Sequence, residues 1–272
     1  MPKVRALPLA LAAFVVAGAA SAHDHWLLPA KSFVPPGTPI DVHHYFGERL
    51  SPEGEHKLEK AKFARITLVA PKWARELRFE GKEGQKPLLT VSAPAGANVV
   101  VADRTPHYLT LEPDVFEAYL SEEKQDEAMA LRAARNERRK PGRERYTRFL
   151  KTLVVWGDDA AASRQNAYGV EAGQRLEIVL ETDPLKAKVG DILTIRVMFE
   201  GKPLQRAFVQ SLVKDDLSAT SYDARTNEEG RASFKIARSG AWMARLVHVR
   251  RCEGCGDADW ESFWASYAFL VR

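Results

Sequence analysis

Short runs of alternating apolar and polar residues, cut at close intervals by Pro, Gly and Asn, constrain this chain more than any other feature. Between residues 39 and 102 the runs are "PIDVHHYF", "FARITLVA", "LLTVSA" and "ANVVVA", each with the period-two patterning of a strand. "RYTRFLKTLVVWG" has the same character, and the last hundred residues are more regular still. There "QRLEIVLETDP", "ILTIRVMFEGKPLQRAFVQSLV", "TSYDARTNEEGRASFKIARSGAWMARLVHVR" and "SFWASYAFLVR" succeed one another. Gly201-Lys202-Pro203-Leu204 fits a turn ahead of a strand, and Asn227-Glu228-Glu229-Gly230 fits the tight connection of a hairpin. Residues 114–140 break the pattern. They are dense in Ala, Glu, Leu and Arg, have no Pro or Gly before Pro141, and read as one surface helix. Asp114 caps its first turn, and Phe116, Tyr119, Leu120, Met129 and Leu131 supply its apolar face.

The expectation is a mainly β protein with two β-sandwich domains of immunoglobulin or transthyretin type. The first would span residues 23–160, with the helical insertion at about 114–140, and the second residues 168–272. The polar segment 158–167 would join them, and a single long sandwich is the rival arrangement.

Residues 1–22 have the form of a secretory signal. Lys3 and Arg5 give a basic start, "ALPLALAAFVVAGAA" an apolar stretch, and Ala20-Ser21-Ala22 the small residues a signal peptidase reads. Cleavage after Ala22 and a soluble periplasmic protein are expected, with an uncleaved anchor as the alternative. No later segment is apolar for long enough to span a bilayer. The formal charge of +4 falls to +2 once Lys3 and Arg5 leave, which points to no particular anionic partner. The basic run "RNERRKPGRER" lacks interleaved aromatics, so a solvated loop is expected there and nucleic acid is not.

Cleavage at that point would make "HDHW" the new amino terminus. A histidine in third place offers a metal four nitrogens: the α-amine, the amides of Asp24 and His25, and the His25 ring. The amides must lose their protons, which selects a polarising ion that prefers square-planar nitrogen, Cu(II) or Ni(II). A second arrangement uses the amine and ring of His23 as a clamp, with a remote histidine completing it. The bland alternative makes His23 and His25 polar end residues before Trp26 as the first core anchor.

On "PIDVHHYF" the two-residue period sets Ile40, Val42, His44 and Phe46 on one face. His44 is therefore either a ligand facing the N-terminal strand or a hydrogen-bonded structural ring, and His43 faces the other way. His107, in Pro106-His107-Tyr108, is a candidate remote ligand from a turn. His56 lies in the charged stretch "SPEGEHKLEK" and reads as solvated, and His248, between two valines, reads as structural. Cys252 and Cys255 are the only cysteines. In an exported protein so close a pair reads as a disulfide, with a metal contribution or free thiols as the alternatives. No nucleophile elbow, phosphate loop or zinc-protease motif is present, and none of the carboxylates is singled out as an acid or base.

"AHDHWLLP", "YTRFLKTLV", "LEIVLETDPLKAKVGDILTIRVMFEGKPLQRAFV" and "DADWESFWASYAFLV" resemble a family of exported bacterial proteins formerly of unknown function. That family is similar to the periplasm-facing metal-binding part of the NikM nickel-uptake component. The resemblance implies a periplasmic β-rich protein that binds or delivers Ni(II) or a similar ion. It matches His23, Asp24 and His25 to the amino-terminal metal site, with His23 where the transporter component starts on methionine. With no membrane span in the mature chain, delivery to a membrane metal transporter or envelope protein fits better than permeation. Two readings of other kinds stay open: a copper-dependent oxidative enzyme built on the histidine clamp, and an envelope interaction or scaffold module that holds no metal.

Overall fold

Every residue from Arg148 to Trp156 is buried, a run that only a strand covered on both faces can carry. The structure, a computed structural model, describes residues 23–158, 166–214 and 219–272. The cleavage reading at Ala22 and most of the 158–167 junction lie outside the described residues.

In chain order the first strands are β1 (Asp24–Pro29), β2 (Phe33–Val34), β3 (Ile40–Glu48), β4 (Ser51–Glu55) and β5 (Phe63–Ala70). Then come β6 (Trp73–Glu76), β7 (Leu89–Val91), β8 (Gly96–Arg104) and β9 (His107–Leu111). Helices α1 (Pro113–Glu122) and α2 (Asp126–Ala134) precede the long β10 (Gly142–Trp156). The rest is β11 (Leu176–Leu180), β12 (Ile192–Phe199), β13 (Lys202–Pro203), β14 (Phe208–Lys214) and β15 (Ala219–Arg225). β16 (Arg231–Lys235), β17 (Gly240–Arg251) and β18 (Trp260–Val271) close the list.

The protein is mainly β, with mixed sheets and two short helices. A ten-stranded sheet in the order β15-β14-β17-β18-β10-β8-β5-β6 runs through both halves of the chain, and β2 and β9 also pair with β10. Its centre is the parallel pairing of β10 with β18, from Glu144 opposite Trp260 to Thr152 opposite Ala268. Because strands of both halves share this sheet, two self-contained sandwiches of immunoglobulin or transthyretin type are not evident. Two four-stranded sheets lie outside it: β1-β3-β4 with β7 on β3, and β11-β12-β13 with β16 on β12.

The two-residue period sorts the core into layers. Phe149, Leu153 and Val155 of β10 pack with Leu176, Ile178, Leu193, Ile195 and Phe234 of the C-terminal small sheet. The alternate residues Leu150, Val154 and Trp156 pack with Leu27, Val42 and Leu89 of the N-terminal small sheet. On that same face Trp260 and Trp264 of β18 meet Phe116, Tyr119 and Leu120 of α1.

The single helix expected over 114–140 is two. Pro113, not Asp114, opens α1, since its fixed φ suits the first helical position, and Asp114 sits in the first turn beside the positive helix end. The helix stops because Lys124 turns left-handed, with φ 53°. Gln125 then spends its side chain on the sheet, donating to the Val247 carbonyl at 2.9 Å and accepting from the Val249 amide at 2.9 Å. Intrinsic propensity carries no trace of such a tertiary anchor. Cys252 and Cys255 form a disulfide just ahead of β18, the first of the readings their spacing allowed. Among the described residues no helix is long and apolar enough to cross a membrane.

Candidate metal centre

β1 and β3 run antiparallel with His25 opposite Phe46 and Leu27 opposite His44, which sets the two histidines on neighbouring positions of one sheet. β3 then turns back as β4, pairing Tyr45 with Glu55, and the His56 amide donates to the His44 carbonyl at 2.8 Å. The hairpin thus delivers a third ring. His25, His44 and His56 each present a ring nitrogen, and these lie within 4.8 Å of one another. Ring centroids are 5.1 Å apart for His25 and His44, 4.6 Å for His25 and His56, and 4.5 Å for His44 and His56.

His25 Nδ1 and His44 Nε2 are 3.1 Å apart. Two imidazoles bound to one ion at about 2.0–2.1 Å hold their nitrogens roughly 2.9–3.4 Å apart, so this spacing already suits a shared metal. Without an ion, one ring donates a proton to the other. Nε2 of His56 is buried with no hydrogen-bond partner, an acceptor or donor left over in a place where such groups are ordinarily satisfied. Residues of this type and spacing fit a metal with imidazole ligands.

The surroundings keep the rings neutral. Burial first, then Arg148 and the neighbouring histidines, pushes the His25 pKa well below the usual imidazole range. At His44 burial and then Arg104 do the same. His56 is pushed down to about 4, by burial and then by Arg104 and Lys62. An uncharged imidazole is the form that binds metal, so no proton has to leave first at neutral pH. Arg104 Nη1 lies 3.2 Å from His25 Nδ1. Arg148, whose pKa burial lowers to about 10, donates from Nη1 to the His23 carbonyl at 3.1 Å and lies 4.5 Å over the Trp264 ring. Phe46 against His56 and Phe63 edge-on to His44 form the apolar wall.

Of the five residues marked from the sequence, His25 and His44 meet in this cluster. His23 lies outside it, with Nε2 3.1 Å from Glu53 Oε2, in a second, more exposed group with Glu48. The Asp24 carboxylate goes to Arg245 at 2.6 Å. His107 is not in the three-ring group; its ring packs against Tyr146, 5.6 Å between ring centroids, and its Nε2, like that of His56, is buried with no hydrogen-bond partner. His56, expected in solvent, is the third member, which corrects that reading. The signal was present in "FGERLSPEGEH": a hairpin turning at Arg49-Leu50, with its register shifted at Gly47, sets residues 44 and 56 opposite each other. His248 is structural as expected, edge-on to Phe199 at 4.6 Å. A third group with metal-ligand residues, Cys252, Cys255 and Glu261, has its sulfurs in the disulfide and its carboxylate on Arg145 and Arg250.

Gly47 makes the hairpin possible. Its φ is 154°, and a Cβ there would sit 2.2 Å from the Ser51 carbonyl oxygen and 2.7 Å from the Glu53 amide nitrogen, both backbone atoms that cannot step aside. Gly47→Ala is expected to destabilise the protein by about 1–3 kcal/mol, which for a chain of this size lowers Tm by roughly 2–12 °C. A thermal melt within 1 °C of wild type would show that the hairpin tolerates the side chain.

The profile of a family described as Domain of unknown function (DUF4198) matches residues 20–250, which include all three rings and both arginines. No curated protein matches the chain.

Proposed function

The chain belongs to the DUF4198 family, and on that footing we propose that it is an exported metal-binding protein holding Cu(II) or Ni(II) on His25, His44 and His56. The observation that carries the reading is the pair of ring nitrogens 3.1 Å apart beside the unpartnered Nε2 of His56. An all-imidazole set suits late first-row ions, and the ordinary order of divalent affinities puts Cu(II) above Ni(II) at such a site. Three protein ligands leave a position open, which suits a protein that passes its ion on, in the periplasm, to a membrane transporter or another envelope protein.

The amino-terminal chelate of His23, Asp24 and His25 is the competing arrangement. It would have to draw the His25 ring from its place against His44 and, for the amides, interrupt the end of the β1–β3 pairing. The three-ring site demands neither.

Titration of the protein with Cu(II) and Ni(II), followed by ligand-field absorption, should show one tight equivalent. His56→Ala is expected to weaken it at least a hundredfold and His107→Ala to leave it unchanged. Adding one residue ahead of His23 destroys the amino-terminal chelate but not the three-ring site. Loss of binding on that extension, with His56→Ala behaving as wild type, would overturn the assignment.

A further inference from the structure

Arg104 is the unexplained neighbour of the three rings. It stands on β8 at 6% exposure, and its only hydrogen-bond partner among the described residues is His25 Nδ1, at 3.2 Å from Nη1. Its Nε is buried with no partner, and among the described residues no carboxylate reaches ion-pair distance of it. The guanidinium does lie 5.8 Å from the Phe63 ring, a contact too weak to replace a counter-ion. Buried guanidiniums are ordinarily paired, because the unpaired charge is costly to desolvate. Arg148 is a second buried cation close enough to act on His25.

Binding of an ion makes the imbalance worse. The lone pair of His25 Nδ1 cannot both accept from Arg104 and ligate, so the ion would strip Arg104 of its one acceptor. A dication would then face a guanidinium with free donors at Nη1 and Nε. One anion in the open position, bound to the metal on one side and accepting from the guanidinium on the other, satisfies both. The planar fork of arginine is suited to this use.

We propose that the three-histidine centre takes a small inorganic anion as its fourth ligand and that Arg104 is the residue that selects for it. The inference rests on the metal assignment above. Smallness follows from the burial of the guanidinium: Arg104 is 6% exposed, and the anion must reach both it and the ion.

The test uses azide on the copper-loaded protein, read by the azide-to-copper charge-transfer band. Copper stoichiometry is measured first, so a protein that holds no copper on the three rings overturns both readings at that stage, before azide is added. Wild type should bind azide saturably, Arg104→Met at least tenfold more weakly, and Arg104→Lys in between, with copper stoichiometry unchanged in all three. Arg104→Lys keeps a charge in place and guards against a folding defect in the apolar variant. Equal azide affinity in wild type and both variants, or a copper-loaded wild type that binds no azide, would overturn the role of Arg104 while leaving the metal site standing.

Discussion

Acidification from pH 7 to pH 4.5 is expected to remove several kcal/mol of stability from the metal-free protein. His25, His44, His56 and His248 are all held below the usual imidazole range, in each case chiefly by burial. The unfolded chain, with rings near pKa 6.5, therefore binds protons before the folded one does as pH falls. Stability is complete above about pH 6.5 and declines until the pH passes the folded-state values, which are about 4 for His56 and His248. His248 accounts for at most about 3 kcal/mol, since one pKa unit corresponds to about 1.4 kcal/mol, and the more open His56, partly screened by water, for less. Melting curves at half-unit steps should show Tm falling through this window. His248→Phe, which keeps the contacts with Phe199 and Phe263, should flatten the fall without touching the metal site. One equivalent of Cu(II) should hold Tm up at pH 6, because protons compete poorly for rings that resist them. An amide-type chelate would lose its ion steeply over the same range. A Tm that stays level from pH 7 to pH 4.5 without metal would mean that the rings are not buried as described.

The strands could be read from local pattern wherever one face is buried, as in β12 and β16. Their assembly could not. The hairpin expected at residues 227–230 is instead a crossing between sheets, since β15 pairs with β14 and β16 with β12. β10 and β18 pair in parallel although Arg145 and Glu261, opposite each other, lie 116 residues apart, and alternation says nothing about which distant strand lies alongside. The candidate centre divides the same way. His44 was placed by the period of its own strand and His25 by its proximity to the expected terminus. His56 depended on recognising that a charged stretch holding Pro and Gly closes a hairpin rather than forming a loose loop. Arg104 and Arg148 could not be found at all, because arginine in a sequence reads as surface, and only the packing of one sheet across another buries it.

Replacing Arg245 by Met should be the most damaging single change outside the histidine cluster. Its Nη atoms take both Glu123 carboxylate oxygens, at 2.7 and 2.9 Å, and Nη1 also donates to Gln210 Oε1 at 2.6 Å. On the other side Nε approaches Asp24 at 2.6 Å, close enough for an ion pair but off the line of a hydrogen bond. This one side chain therefore ties β1, the turn between the helices and β17 together. Burial alone would favour the neutral guanidine, but Asp24 and Glu123 overcome it and raise the pKa. Asp24 is the weaker side of the network, for burial outweighs Arg245 there and pushes its carboxyl up. Arg245→Met leaves two carboxylates facing each other without a cation, a loss of about 3–5 kcal/mol for a buried pair broken on one side. Tm should fall by roughly 6–20 °C at pH 7. Without Arg245 the Asp24 carboxyl, already pushed up by burial, should rise further, so the folded variant takes up a proton as pH falls towards 5. The deficit relative to wild type should shrink over that range, and Glu123→Gln added to Arg245→Met should recover part of it at pH 7. A deficit that is the same at pH 7 and pH 5, and indifferent to Glu123→Gln, would mean that Arg245 acts through packing on Trp264 rather than through charge.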